Sequence, residues 1–240
     1  MELNLNYYFE NFDDNEIFKM LSKDVKYVFV IQKNAKEFLK QEVTDKDLKV
    51  NNGELLGDVT FLGNYYIGEG TKIYGNAIIE GPCYIGKNVE IKPGAYIRPG
   101  SIIGDKCVVG FNSEVKNAIL QNGAKVASLA FVGDSILGKS ARIGSGVIIA
   151  NRRFDQKNIK VKNNDGERID TETDFFGCII GDYSRIGANS VTCPGTFIGQ
   201  YSWIFPLTQV HGFIPSLKRV HNGLNLVFDE NEKNVLKWFI

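Results

Sequence analysis

The side chains that most often act as base, nucleophile or metal ligand near neutral pH are scarce in this chain. There are two histidines, His211 and His221, and four cysteines, Cys83, Cys107, Cys178 and Cys193, in 240 residues. No two cysteines have CxxC spacing, so neither a zinc site nor a disulfide scaffold is indicated. Imidazole is the side chain that titrates nearest neutral pH, so two of them restrict any general-base proposal. His211 and His221 are both read as exposed or structural, with no metal expected.

The composition narrows the class further. The chain is 43% hydrophobic and 23% charged, as ordinary globular proteins are. Lys+Arg and Asp+Glu are 28 each, which removes the basic bias of a nucleic-acid binder and any long-range pull to anionic membranes. The opening MELNLNYYFENFDDNE has no apolar core of a signal peptide, and a cytoplasmic protein is expected. No apolar run approaches the roughly 20 residues of a membrane span.

Glycine points to the elements that must position any site. Of 25 glycines, none precedes Gly53. From there an aliphatic residue recurs every six positions: Ile67, Ile73, Ile79, Ile85, Ile91, Ile97, Ile103, Val109, Val115. A compact residue follows four places later, as at Thr71, Ala77, Cys83, Val89, Ala95, Ser101 and Cys107, so cysteines read as interior residues. The phase slips after Val115, is read again at Phe131, Leu137, Ile143 and Ile149, and returns from Ile180 to Val210. This period is neither helical nor simple alternation. It describes a short strand and a tight corner, with Gly, Asn, Asp and Pro-Gly in the corners. Three units close a triangular coil, and coils stack at about 4.8 Å. About seven coils are expected over 51–212.

The flanks differ. Residues 1–50 lack the repeat and have no phosphate-binding glycine loop. A capped helix is expected at DDNEIFKML, followed by a second helix or a strand at YVFVI. The segment is read as a cap over the first coil, shielding its open edge. Residues 151–177 leave the repeat, with six basic and six acidic residues, and are expected to close a ligand cleft or reach a neighbouring subunit. The tail, 213–240, carries a hairpin signal at Asn222-Gly223 and a short apolar anchor at Val235, Leu236, Trp238 and Phe239.

The period and the segments IRPGS, SEVKNAIL, SLAFVGDSILG, IGSGVIIANRRFD and CIIGDYSRIGANS resemble one family in that order. It is the acetyltransferase domain of the bifunctional N-acetylglucosamine-1-phosphate uridylyltransferase/glucosamine-1-phosphate acetyltransferases, closest to the archaeal sugar-1-phosphate branch. The resemblance spans roughly residues 55–210 and lacks the uridylyltransferase half. It implies an all-β fold, a left-handed parallel β-helix of hexapeptide repeats, assembled as a trimer. It implies acetyl-CoA as donor, an amino-sugar phosphate or nucleotide sugar as acceptor, and no metal. The fold-sharing γ-class carbonic anhydrases need three histidines for zinc, which this chain does not have.

Residue by residue, the resemblance implies a phosphate contact for Arg98, a sugar-phosphate contact for Lys116, a place lining the transfer site for Asn151, and a place beside the CoA arm for Ala188. Where the family reads His-Leu-x-Tyr-x-Gly-Asp, this chain reads Ser128-Leu129-Ala130-Phe131-Val132-Gly133-Asp134. Ser128 thus stands at the position of the catalytic base, and Phe131 at that of a tyrosine. Arg142 stands where the family has a sugar-binding asparagine and adds a charge to the substrate pocket. A serine hydroxyl is no base near neutral pH, and losing a general base costs roughly 10²–10⁴-fold. Two readings follow: an acyltransferase with altered pocket chemistry, or a sugar-phosphate binder that has lost catalysis or partners a separate nucleotidyltransferase. A bare trimeric scaffold is the third.

Overall fold

A computed structural model of the chain describes residues 1–13, 15–221 and 227–230. Its body is the expected parallel β-helix of hexapeptide repeats. Each coil contributes one short strand to each of three faces. Face A runs from Lys49–Asn51 through Tyr65–Ile67 and Cys83–Ile85 to Phe213–Ile214, nine parallel strands in all. Face B begins at Glu54–Leu56 and ends at Lys218–His221, against which Val227–Glu230 pairs antiparallel. Face C has eight strands, from Thr60–Leu62 to Gln209–Val210.

The estimate of about seven coils is therefore too low. Lys49–Asn51 pairs with Tyr65–Ile67 at one end, and Phe213–Ile214 with Phe197–Ile198 at the other. These outer strands lack the aliphatic-then-compact signature, because an end coil has a neighbour on one side only. The antiparallel partner of Lys218–His221 agrees with the hairpin signal, although Asn222 and Gly223 lie outside the described residues, as does the anchor from Val235 to Phe239.

The interior is the ladder of repeat residues. Ile67 stacks on Ile85 and Ile85 on Ile103, and all three are fully buried. Beyond Ile103 the partner lies seventeen positions on: Leu120, then Leu137. The phase is thus never lost. The units Val115–Leu120 and Val132–Leu137 are one residue shorter, which moves the register. Val132, not Phe131, is the inward residue, fully buried, while Phe131 faces outward.

The N-terminal segment corrects another expectation. It is helical at Leu5–Tyr8, Glu16–Ser22 and Ile31–Leu39, with the Asn15 side chain capping the second of these. The strand alternative at YVFVI is not adopted, since Val28–Val30 is a 3₁₀ turn. The segment lies along the outside of face A rather than only over the first coil. Tyr8, Phe9, Phe12, Phe18, Leu21, Ile31 and Leu39 form one buried cluster with Ile102, Ile119, Ile136, Ile179 and Phe197. The cause is in the strands: face A reads Ile102-Ile103, Ile119-Leu120, Ile136-Leu137, Ile179-Ile180, apolar on both sides, as sheets covered on both faces do. Burying each such side chain contributes about 1.5–3 kcal/mol.

Asp182 fastens this layer. Its buried carboxylate accepts from the backbone N–H groups of Glu10 at 2.8 Å and Lys139 at 2.7 Å, and its own N–H donates to the Tyr8 carbonyl. The excursion after Asn151 forms a hairpin, Lys160–Lys162 with Arg168–Asp170, whose Ile159 and Val161 join the same cluster. The hairpin turns back on its own chain: the Asn164 amide donates to Glu2 at 2.9 Å.

Candidate functional site

The short units shape the corner where face C turns into face A. Asn117 and Asp134 occupy equivalent positions there, both in the left-handed region at φ 46° and 48°, which Asn and Asp tolerate better than most residues. Asn151 follows seventeen positions after Asp134, at the end of the next face C strand. The result is a vertical column of three polar side chains.

Asp134 is its centre. The side chain is 4% exposed, and its two oxygens accept from Asn117 Nδ2 at 2.6 Å, Asn151 Nδ2 at 2.6 Å and Lys116 Nζ at 3.0 Å. A buried carboxylate is tolerated only when so satisfied. A carboxylate can only accept, so Asn151 must present its Nδ2 to Asp134 and its Oδ1 elsewhere. Gly133 makes the approach possible: a Cβ there would sit 2.5 Å from Asn151 Nδ2. The base of the excursion arches over the group. The Phe175 ring stands 4.3 Å from Lys116 Nζ and 4.7 Å from the Arg152 guanidinium, and Arg152 pairs with Asp174 at 3.3 Å.

Arg98 lies one coil below Lys116 on the same face. It pairs with Glu114 at 2.6 Å, which holds the guanidinium above its ordinary range. The two cations expected to contact phosphate therefore each face a carboxylate of their own chain.

Ser128 and Ala188 lie elsewhere, at the corner between faces B and C. The Ser128 carbonyl accepts from the Gly146 N–H, and the Ala188 carbonyl from the Leu207 N–H, both at 3.0 Å. Leu129, 58% exposed, follows Ser128 on the rim. Arg142 is on face B, in register with Lys125 below and Arg185 above. These three line a cleft of about 730 Å³ with Tyr183, Trp203 and Phe205. His221 stacks on Phe205 at 4.1 Å, and His211 is exposed.

Within one chain, the structure brings Lys116 and Asn151 together and keeps Ser128, Arg142 and Ala188 apart from them across the width of face C. Asp134, Asn117, Lys125 and Arg185 were not singled out from the sequence. Their signal was positional: Asn117, Asp134 and Asn151 recur at seventeen, and Lys125, Arg142 and Arg185 each precede an inward aliphatic. The buried cysteines are interior packing, as expected; burial pushes the Cys83 and Cys107 thiols up to about 12. Among the described residues, no helix is long and apolar enough to cross a membrane.

A triangular parallel coil of three strand faces defines a hexapeptide-repeat β-helix. Its fold is similar to that of the UDP-N-acetylglucosamine acyltransferase of Francisella novicida, at a TM-score of 0.50 and 16% identity, over 80% of this chain and 71% of that one. Residues 79–165 match the sequence family described as the GMPPB C-terminal domain. The uncharacterized acetyltransferase YaiX of Escherichia coli is 32% identical over 187 residues, 78% of this chain and 80% of that protein. The bifunctional sugar-1-phosphate nucleotidylyltransferase/acetyltransferase of Sulfurisphaera tokodaii is 40% identical over 156 residues, 65% of this chain but 39% of that protein. The chain belongs to the hexapeptide-repeat acetyltransferase family. It matches well under half the length of the Sulfurisphaera relative.

Proposed function

We propose that the protein transfers an acyl group from acyl-CoA to the amine of a sugar 1-phosphate or nucleotide sugar, as a homotrimer whose sites lie between subunits. The observation that carries this reading is the Asp134 group. It orients Asn151 so that Oδ1 is free to accept from an N–H of the substrate, and it holds Lys116, 24% exposed, at the surface beside it. An acceptor amine oriented by Oδ1 attacks the thioester carbonyl carbon, the C–S bond breaks, and the CoA thiolate leaves. The amine proton passes to solvent, because Ser128 cannot take it. A neighbouring subunit's face B and C corner, with Ser128 and Ala188, would complete the site, since one chain separates the two groups.

The alternative is a sugar-phosphate binder without catalysis, favoured by Ser128 at the base position. The deciding test is CoA-thiol release from acetyl-CoA, with glucosamine 1-phosphate and galactosamine 1-phosphate as acceptors, from about pH 7 to 9, where amines lose protons. Turnover that rises with pH and collapses in Lys116→Gln supports transfer. No release above the blank with either acceptor favours the binder.

A further inference from the structure

Lys125, Arg142 and Arg185 stand directly opposite one another on three consecutive strands of face B. Like charges so opposed destabilise a sheet. Lys125 and Arg142 are exposed, and Arg185 is half-buried, donating to the Ser140 carbonyl. Among the described residues, no Asp or Glu lines the cleft they share. This contrasts with Arg98 and Lys116, which have Glu114 and Asp134. Burial, and then the Arg142 charge, pushes the Arg185 guanidinium below its ordinary range. Glu90, two strands below Lys125 and within reach of its charge, lies outside that cleft. A row of cations with a local cost and no carboxylate in its cleft is where an anionic ligand belongs.

We infer that Lys125, Arg142 and Arg185 form a binding site for a diphosphate group. Guanidinium forks suit phosphoryl oxygens. The cleft of about 730 Å³ continues to the rings of Trp203 and Phe205, which accommodate the organic part of the ligand. The inference rests on the acyl-transfer reading for the ligand's source: an acyl-CoA donor and a nucleotide-sugar acceptor both carry a diphosphate.

Calorimetric titration of the full chain with inorganic pyrophosphate tests it, followed by displacement with coenzyme A and, separately, UDP. Arg142→Gln and Lys125→Gln change exposed side chains and spare the core. Each should weaken pyrophosphate binding about tenfold or more. Lys72→Gln, exposed on the same face, should leave it unchanged. Displacement by coenzyme A assigns the site to the donor, and displacement by UDP assigns it to the acceptor. Equal binding by wild type and Arg142→Gln overturns the site, as does pyrophosphate that neither nucleotide displaces, an adventitious ion only. Binding is read without turnover, so the two proposals fail separately. Pyrophosphate binding without acyl transfer keeps the site and removes the transfer reading; transfer without pyrophosphate binding does the reverse.

Discussion

Asn151 Nδ2 lies 2.6 Å from Asp134 Oδ2, the same oxygen that accepts from Lys116 Nζ at 3.0 Å. One buried carboxylate thus orients an amide and an ammonium that are 35 positions apart in sequence. Replacing Asp134 with Ala leaves Lys116 and Asn151 without it. Hydrogen bonds to charged groups are worth about 1.5–3 kcal/mol each, so unfolding free energy should fall by at least that. Urea denaturation reads the loss. The same variant should raise the acceptor KM. A variant as stable as wild type would mean that the carboxylate contributes nothing net.

Ser128→His places an imidazole at the position that the proposed function, following the family resemblance, gives to the base. If the acyl-transfer reading holds, turnover at pH 7 should rise, by up to about 10²–10⁴-fold. The rise with pH expected of wild type should flatten, because the base no longer has to be solvent. CoA-thiol release measures both. A rate and pH profile like those of wild type would detach position 128 from proton transfer.

Asp182 gives the fold a pH dependence. Burial pushes its carboxyl up to about 6, against about 3.9 for an unperturbed aspartate. The sign follows from where the proton is held more tightly. The folded chain favours the protonated form, so this contribution is complete below about pH 4 and is lost as pH rises through 6. Across that window it amounts to at most about 3 kcal/mol. The Tm of wild type should fall more steeply, or rise less, between about pH 4 and 6 than that of Asp182→Asn. The slopes decide, because the variant also disturbs the bonds to Glu10 and Lys139.

The layer over face A makes a contrast of two phenylalanines. Phe176 is fully buried in the shared cluster, whereas Phe154 is fully exposed. Phe176→Ala should cost about 3–5 kcal/mol. Phe154→Ala should stay within about 0.5 kcal/mol. Denaturation curves of the two variants, with limited proteolysis of the first 48 residues, check that the N-terminal segment and the excursion share one core.

Much of the fold was legible because a β-helix repeats one physical problem. Every inward residue from Ile73 to Val115 meets an apolar neighbour above and below, so the chain writes a similar answer every six positions. Legibility failed where a unit has five residues. Reading six-residue steps back from Leu137 places Phe131 inside, whereas the shortened corner at Asp134 puts Val132 there, and only strand pairing reveals it. The cover over face A had a local trace in pairs such as Ile136-Leu137, but which segment provides it depends on where the helices of residues 1–48 dock.

Of the site, the sequence alone determined the inventory: two histidines, a serine at position 128, and arginine and lysine at set positions. Tertiary structure decided who meets whom. Asp134 is an ordinary corner residue in the sequence, and stacking makes it the partner of Lys116 and Asn151. Stacking likewise lines up Lys125, Arg142 and Arg185, which no short motif joins. It also separates Ser128 from Asn151 by the width of a face, because a face C strand lies between the two corners. Register along a coil stack is set by the summed lengths of all the units between two residues, and one missing residue redirects every contact that follows.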